Sequence, residues 1–142
     1  MFTVNATDAR RDWSRITDAV VREKPQFVKR TRDYMVMTNL PLFESLLSVY
    51  EFTANKFIED DGSVTLSLNE MDLAENAAAE EEARLQLGQA ILEYAEDFYR
   101  EFPLWSAAPN RKGHIPYVLK ALSIDDSRRI GDSLRICQVG EI

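Results

Sequence analysis

The first third of the sequence holds the basic side chains that could bind nucleic acid. Duplex affinity comes mainly from phosphate neutralisation by Lys and Arg, and a few forked donors read base edges. Arg10 lies at the start of a predicted helix near Thr7, whose hydroxyl and neighbouring amides could meet a phosphate. The other candidates are Arg11, Lys29, Arg30 and Arg32. The residues alone leave open a second interpretation, a solvated helix face on which the arginines pair with Asp8 and Asp12.

The charge of the chain is distributed unevenly. The 142 residues carry a net charge of -7, yet residues 1–50 hold eight Lys or Arg against six Asp or Glu. Residues 59–101 hold 13 acidic residues and only two arginines. A basic segment followed by an acidic one suggests two partners of opposite charge.

A long acidic helix is predicted from about Ala78 to Pro103. Its apolar stripe is Ala83, Leu87, Ala90, Ile91, Tyr94, Ala95, Phe98 and Phe102, which indicates a buried face. The acidic side chains proposed to meet a basic partner are Glu80, Glu81, Glu93, Glu96 and Asp97. The alternative is a solvated helix face that confers solubility.

The residues needed for most catalytic and metal sites are scarce. One His and one Cys make zinc sites and Cys–His catalysis almost unavailable. No glycine-rich phosphate loop, nucleophile elbow or metal-ligand spacing is present. We therefore expect no enzyme activity, cofactor, metal or small-molecule substrate. With no apolar run of membrane-spanning length and no signal-peptide pattern, we expect a cytoplasmic protein with no membrane partner.

The elements that must position the basic residues are predicted from periodicity. Residues 2–5 read as a strand, and a helix capped by Thr7 is predicted from there to Glu23. Two β-rich runs, Gln26–Thr31 and Tyr34–Leu40, predict a hairpin with its turn at Arg32-Asp33. Pro41 opens a helix predicted to reach about Phe57.

A polar break at Glu59–Gly62 predicts a domain boundary, which gives domains 1–58 and 63–142. The second domain is predicted to hold a strand at Val64–Leu68 and a return strand at Asp72–Asn76 before the acidic helix. Beyond it we predict a loop at Ser106–His114, a helix from Pro116 to Leu122, and another from Asp125/Asp126 to about Leu134. The predicted fold class is α+β, a small β-α-β-β-α domain followed by a mainly helical α+β region.

Short motifs follow one another in a fixed order through the first fifty residues. They are Thr3-Val4-Asn5-Ala6-Thr7-Asp8-Ala9-Arg10, Trp13-Ser14, Ala19-Val20-Val21, Val28-Lys29-Arg30-Thr31, Met35-Val36-Met37 and Leu42-Phe43-Glu44-Ser45-Leu46-Leu47. This pattern resembles the Phd/YefM family of antitoxins from prokaryotic toxin–antitoxin operons. Residues 63–101 are similar to part of the HicB antitoxin domain.

The Phd/YefM resemblance implies a homodimer whose N-terminal domains form a composite sheet and a groove for operator DNA. It implies that Arg10 and Arg30 touch DNA, and we expect Arg11, Lys29 and Arg32 to support them on the DNA backbone. It also implies toxin binding by the C-terminal part, for which the acidic helix is suited because RNase toxins of such operons are commonly basic.

The chain departs from the family in two ways. Arg32-Asp33 stands where the hairpin turn usually has a glycine, and some eighty residues follow instead of a short disordered tail. The sequence thus predicts an antitoxin that binds a cognate toxin and represses its own operon. The alternative is a stand-alone DNA-binding regulatory or protein-interaction module without a toxin partner.

Overall fold

The computed structural model describes residues 2–141 and has the predicted α+β fold. The chain divides into two compact units, the first ending at Leu46 and the second beginning at Leu47. Each unit has its own sheet, of three strands in the first and four in the second.

The first unit is a three-stranded sheet with helices in its crossover connection. Its elements are β1 (Thr3–Asn5), α1 (Ala6–Arg11), α2 (Trp13–Arg22), β2 (Gln26–Arg30), β3 (Asp33–Met37) and α3 (Leu40–Leu46). The strand order is β1-β2-β3, with β1 parallel to β2 and β3 antiparallel to β2. Parallel neighbours need a crossover connection, which α1 and α2 supply here.

The second unit is a four-stranded sheet packed with helices. Its elements are β4 (Thr53–Ile58), β5 (Val64–Leu68), β6 (Ala74–Ala77), α4 (Glu80–Arg100), α5 (Phe102–Ala107), a 3₁₀ turn (Lys112–His114), α6 (Ile115–Ile124), α7 (Ser127–Ser133) and β7 (Arg135–Glu141). The strand order is β6-β5-β4-β7, and β7 runs parallel to β4.

The core of the second unit lies between this sheet and α4. Strand β5 alternates as predicted, because Val64, Leu66 and Leu68 are buried and the residues between them are half-exposed. The predicted stripe of α4 is buried at Ala83, Leu87, Ile91, Ala95 and Phe98. Burial of these apolar side chains is the main stabilising term of the unit.

Three details of the first unit differ from the prediction. The single helix predicted from Thr7 is two helices, because Asp12 (φ -103°, ψ 33°) leaves the helical conformation between them. The N-cap of the first helix is Asn5, two residues before the predicted Thr7, and the helix begins at Ala6. The hairpin turn is Thr31-Arg32, since Asp33 already pairs with Arg30 in the sheet.

The predicted domain boundary and the predicted end of the second helix were wrong, whereas the helix itself is present from Leu40. Helix α3 ends at Leu46, and the stretch up to Ile58 contains buried Phe52 and strand β4, which belong to the second unit. Glu59–Gly62 is the turn of the β4–β5 hairpin, in which Gly62 adopts φ 83°. A polar, glycine-containing run marks a hairpin turn as readily as a domain linker.

The C-terminal part holds elements that the sequence did not predict. Strand β7 was missed, because its pairing partner β4 lies about eighty residues earlier in the chain. The predicted loop at Ser106–His114 contains the end of α5 and the 3₁₀ turn. The two later helices were predicted correctly, and the Asp126 carboxylate caps α7 by accepting from the backbone N–H groups of Arg128 and Arg129.

Close packing of α4 against α7 depends on Gly88 of α4 and Gly131 of α7. A Cβ on Gly88 would overlap the carbonyl oxygen of Ser127 and lie 2.8 Å from the nitrogen of Gly131. We expect Gly88→Ala to lower the free energy of unfolding by about 3 kcal/mol, because backbone atoms cannot move aside cheaply. Urea unfolding followed by circular dichroism measures the change.

The matched control for that measurement is Gly113→Ala, because nothing lies within 4 Å of the added Cβ. Equal unfolding midpoints for the two variants would contradict the proposed packing constraint at Gly88.

Candidate nucleic-acid interface

An open groove in the first unit gathers most of the basic residues that the sequence singled out. Strand β1 leads directly into α1, and Asn5 at its end lies beside Lys29 of β2. The start of α1 therefore meets the end of β2 and the hairpin turn. The groove has a volume of about 810 Å³ and is lined by Asn5, Ala6, Thr7, Asp8, Arg10, Lys29, Arg30 and Thr31.

The arginines near this groove fall into two classes. Within residues 2–141, neither Arg10 nor Arg30 has a carboxylate partner. Arg11 pairs with Asp8 at 3.3 Å and with Asp12 at 3.5 Å. The solvated-pair interpretation therefore describes Arg11 but not Arg10.

Arg15 completes the paired class by donating to Asp12 at 3.2 Å. The guanidinium groups of Arg15 and Arg11 hold the pKa of the Asp12 carboxyl below its ordinary value. Asp12 therefore stays ionised at neutral pH and pairs with both arginines, neither of which lines the groove. Arg10 and Arg30, which have no carboxylate partner within the described chain, do line it.

The remaining predicted DNA-binding residues lie in or beside the groove. Thr7 and Lys29 line it, and the Lys29 ammonium lies 5.6 Å from the centre of the Tyr34 ring. Arg32 is exposed in the hairpin turn but is not among the lining residues, and neither is Arg11. The structure thus brings together Thr7, Arg10, Lys29 and Arg30 and leaves Arg11 and Arg32 outside.

A second, apolar cleft of the first unit was not predicted from the sequence. It measures about 430 Å³ and is lined by Ala6, Ala9, Arg10, Trp13, Val28, Met35 and Met37. Trp13 is 54% exposed and Met35 is 47% exposed. Within residues 2–141, the adjacent buried cluster consists of Ala9, Ile16 and Val28, with a few partly buried side chains packed against it. Such a small core beside an open apolar cleft is typical of a surface that another chain covers.

The predicted acidic surface divides into engaged and exposed residues. Glu80 accepts from Lys56 of β4 at 3.0 Å and from Arg84 at 3.1 Å. These two bonds hold the pKa of the Glu80 carboxyl below its ordinary value. Arg84 also donates to the carbonyls of Gly131 and Leu134. Glu80 therefore connects α4 to β4 through Lys56, and it holds Arg84, which contacts the end of α7.

The other acidic candidates of α4 face solvent. Glu81 and Glu93 are exposed, and within the described chain neither has an ion pair. Glu96 and Asp97 pair with Arg100 at 3.6 and 2.7 Å on the helix surface. Two large apolar side chains are exposed near this end of the helix, Tyr99 at 62% and Leu104 at 68%.

Metal-binding clusters and membrane-spanning helices are both missing from residues 2–141. No group of three or more His, Cys, Asp or Glu side chains there could hold a metal ion. None of the helices in this part of the chain combines the length and apolar character that crossing a bilayer requires.

Comparison with known proteins decides the family. Residues 1–136 match the family model PHD_like, described as antitoxin of toxin–antitoxin, RelE / RelB, TA system. The chain belongs to this antitoxin family. A crystal structure of an antitoxin from Syntrophomonas wolfei subsp. wolfei is 34% identical, with a TM-score of 0.91 over 98% of this chain and 100% of that chain. No curated protein matches.

The family assignment confirms the predicted antitoxin class, which implies a toxin partner. The Phd/YefM subfamily and the HicB-like resemblance of residues 63–101 stay predictions. The roles of individual residues in DNA and toxin binding stay predictions as well.

Proposed function

We propose that this antitoxin represses its own operon by binding operator DNA in the groove of the first unit, and neutralises its toxin by direct binding through the second unit. The observation that carries the DNA-binding part is the pair of arginines without carboxylate partners, Arg10 and Arg30, in one groove of the described chain. Neighbouring Arg11 is already neutralised by Asp8 and Asp12.

The chemistry of the groove suits duplex DNA. An unpaired guanidinium keeps its five N–H donors available for phosphate oxygens or for the O6 and N7 atoms of guanine. Lys29 adds a third positive charge, and Thr7 adds a hydroxyl that can donate to a phosphate. Arg32 and Arg11, which do not line the groove, are proposed to add supporting contacts to the DNA backbone. The net charge of the whole chain, -7, opposes non-specific binding to DNA.

We further propose that the antitoxin is a homodimer formed through the first unit. A unit of about 46 residues with three side chains in its buried cluster needs additional burial to be stable. A second copy seated on the apolar cleft would cover Trp13, Met35 and Met37. A symmetric dimer also presents two grooves, which suits an operator with two half-sites.

The toxin-binding part rests on charge and on exposed apolar area. Glu81 and Glu93 present negative charge that has no ion pair in the described chain, and Asp97 adds a carboxylate paired with Arg100. Tyr99 and Leu104 supply the apolar contacts that interface centres require. Glu96 belongs to the same surface, whereas Glu80 is engaged by Lys56 and Arg84. The expected partner is a basic protein, held stoichiometrically and without any chemical step.

Arg10 provides the direct test of DNA binding. We expect Arg10→Ala to weaken binding to a duplex from the region upstream of the gene by about tenfold, and to reduce the salt slope of log K by about 1 for each phosphate that is no longer neutralised. Fluorescence anisotropy between about 50 and 200 mM salt measures both quantities.

Arg15→Ala is the matched control, because it removes the same charge from a residue that Asp12 already neutralises. Equal reductions in affinity for the two variants would show that overall charge causes the effect, and would contradict DNA binding in the groove.

The apolar cleft provides the test of dimerisation. We expect the unaltered antitoxin to run at twice its chain mass of 16.3 kDa, and Met35→Glu to run as a monomer, because a charge cannot be buried unpaired in an apolar interface. Light scattering after size exclusion measures the mass. Leu104→Glu changes an equally apolar exposed site in the second unit and should remain dimeric. A dimeric Met35→Glu variant would contradict dimerisation through the apolar cleft.

Toxin binding is tested on the exposed acidic residues of α4. We expect the double variant Glu81→Lys/Glu93→Lys to lower affinity for the product of the adjacent gene by at least about tenfold, because like charges would face a basic toxin. Co-purification and calorimetry measure the change in affinity.

Asp60→Lys/Asp72→Lys is the control, since it makes the same change in net charge at other exposed positions. An equal reduction in affinity with the control pair would show that net charge, rather than the α4 surface, determines binding.

A further inference from the structure

We infer that Thr31, at the tip of the β2–β3 hairpin, is an additional DNA-contacting residue whose hydroxyl donates to a phosphate oxygen of the operator. This inference rests on the proposed operator binding and adds to it a residue that is not among the predicted DNA-binding residues.

The conformation of Thr31 is unusual for its residue type. Arg30 and Asp33 form the last pair of the β2–β3 ladder, which leaves Thr31 and Arg32 as a two-residue turn. The turn places Thr31 at φ 54°, in the left-handed region. A β-branched residue is disfavoured there, whereas glycine adopts this conformation without steric cost.

Nothing in the described chain accounts for a threonine at this position. Among residues 2–141, the other non-glycine residue at positive φ is Asp125, which ends α6 by donating its N–H to the Ala121 carbonyl and is of a type that tolerates this conformation. Thr31 is exposed, and within residues 2–141 its hydroxyl has no hydrogen-bond partner. Residues held in sparsely populated backbone conformations cluster at active sites and ligand-binding sites.

The position of Thr31 indicates what it binds. It lines the same groove as Arg10 and Arg30, next to Arg30 in the chain. Threonine hydroxyls are common donors to DNA phosphates, where they fix the orientation of the protein rather than read sequence. A phosphate held by the two guanidinium groups would therefore lie within reach of an uncharged donor at the hairpin tip.

Three substitutions separate the hydroxyl from the backbone strain. Thr31→Ser keeps the hydroxyl, Thr31→Ala removes it and keeps a Cβ, and Thr31→Gly removes both. We expect Thr31→Ala and Thr31→Gly to weaken binding of the full-length antitoxin to the upstream duplex by about tenfold, and Thr31→Ser to stay within about twofold. The salt slope of all three should equal that of the unaltered protein, because no charge is removed.

The melting temperature distinguishes a role of Thr31 in DNA binding from a role in stabilising the fold. We expect Thr31→Gly to raise the melting temperature by about 2 °C while it weakens DNA binding, since relief of strain stabilises the fold. Unchanged binding by Thr31→Ala would overturn the inference, as would a change in salt slope equal to that of Arg10→Ala. If the unaltered antitoxin does not bind the duplex, the proposed function fails, and the inference fails with it.

Discussion

The parallel pairing of β1 with β2 is the constraint on which the candidate DNA-binding site depends. Because the two strands run in the same direction, with Asn5 beside Lys29, both end at the same edge of the sheet. The chain enters α1 at that edge from one strand and the hairpin turn from the other. Arg10 and Arg30, twenty residues apart in sequence, share a groove for this reason. A shift in the register of β1 would separate them without altering either residue.

The acidic residues of α1 and its junction with α2 decide which arginines remain available. Asp8 and Asp12 occupy Arg11 and Arg15, and the break at Asp12 places its carboxylate within reach of both. These exposed pairs contribute little to stability, because water screens them. Their consequence is electrostatic: Arg11 and Arg15, which do not line the groove, are paired with carboxylates, whereas Arg10 and Arg30, which line it, are not paired within the described chain. A count of basic residues along the chain cannot make this distinction, since Arg10 and Arg11 are adjacent.

Local patterns predicted the elements whose partners lie nearby in sequence. The β2–β3 hairpin, strand β5 and the buried stripe of α4 each follow from alternation or helical spacing over a few residues. Strand β7 and the boundary between the units could not be predicted from local patterns, because they depend on a pairing between Thr53–Ile58 and residues near the C-terminus. The open cleft around Trp13 could not be predicted either, since an apolar residue at helical spacing indicates a core whether or not the chain itself covers it.

The two units differ in how completely they bury their apolar residues. In the first unit, this difference links folding to the proposed function. Within the described chain, the buried cluster of the second unit has sixteen residues, whereas that of the first has three. Arg10 lines both the basic groove and the apolar cleft, with Ala6 shared between the two as well. A second copy filling the cleft would pack against the aliphatic stem of Arg10 and leave its guanidinium in the groove. Under the proposed function, dimerisation therefore stabilises the first unit and orients its principal DNA-binding side chain in one step. The second unit has a complete core of its own and does not need this step to present its acidic surface.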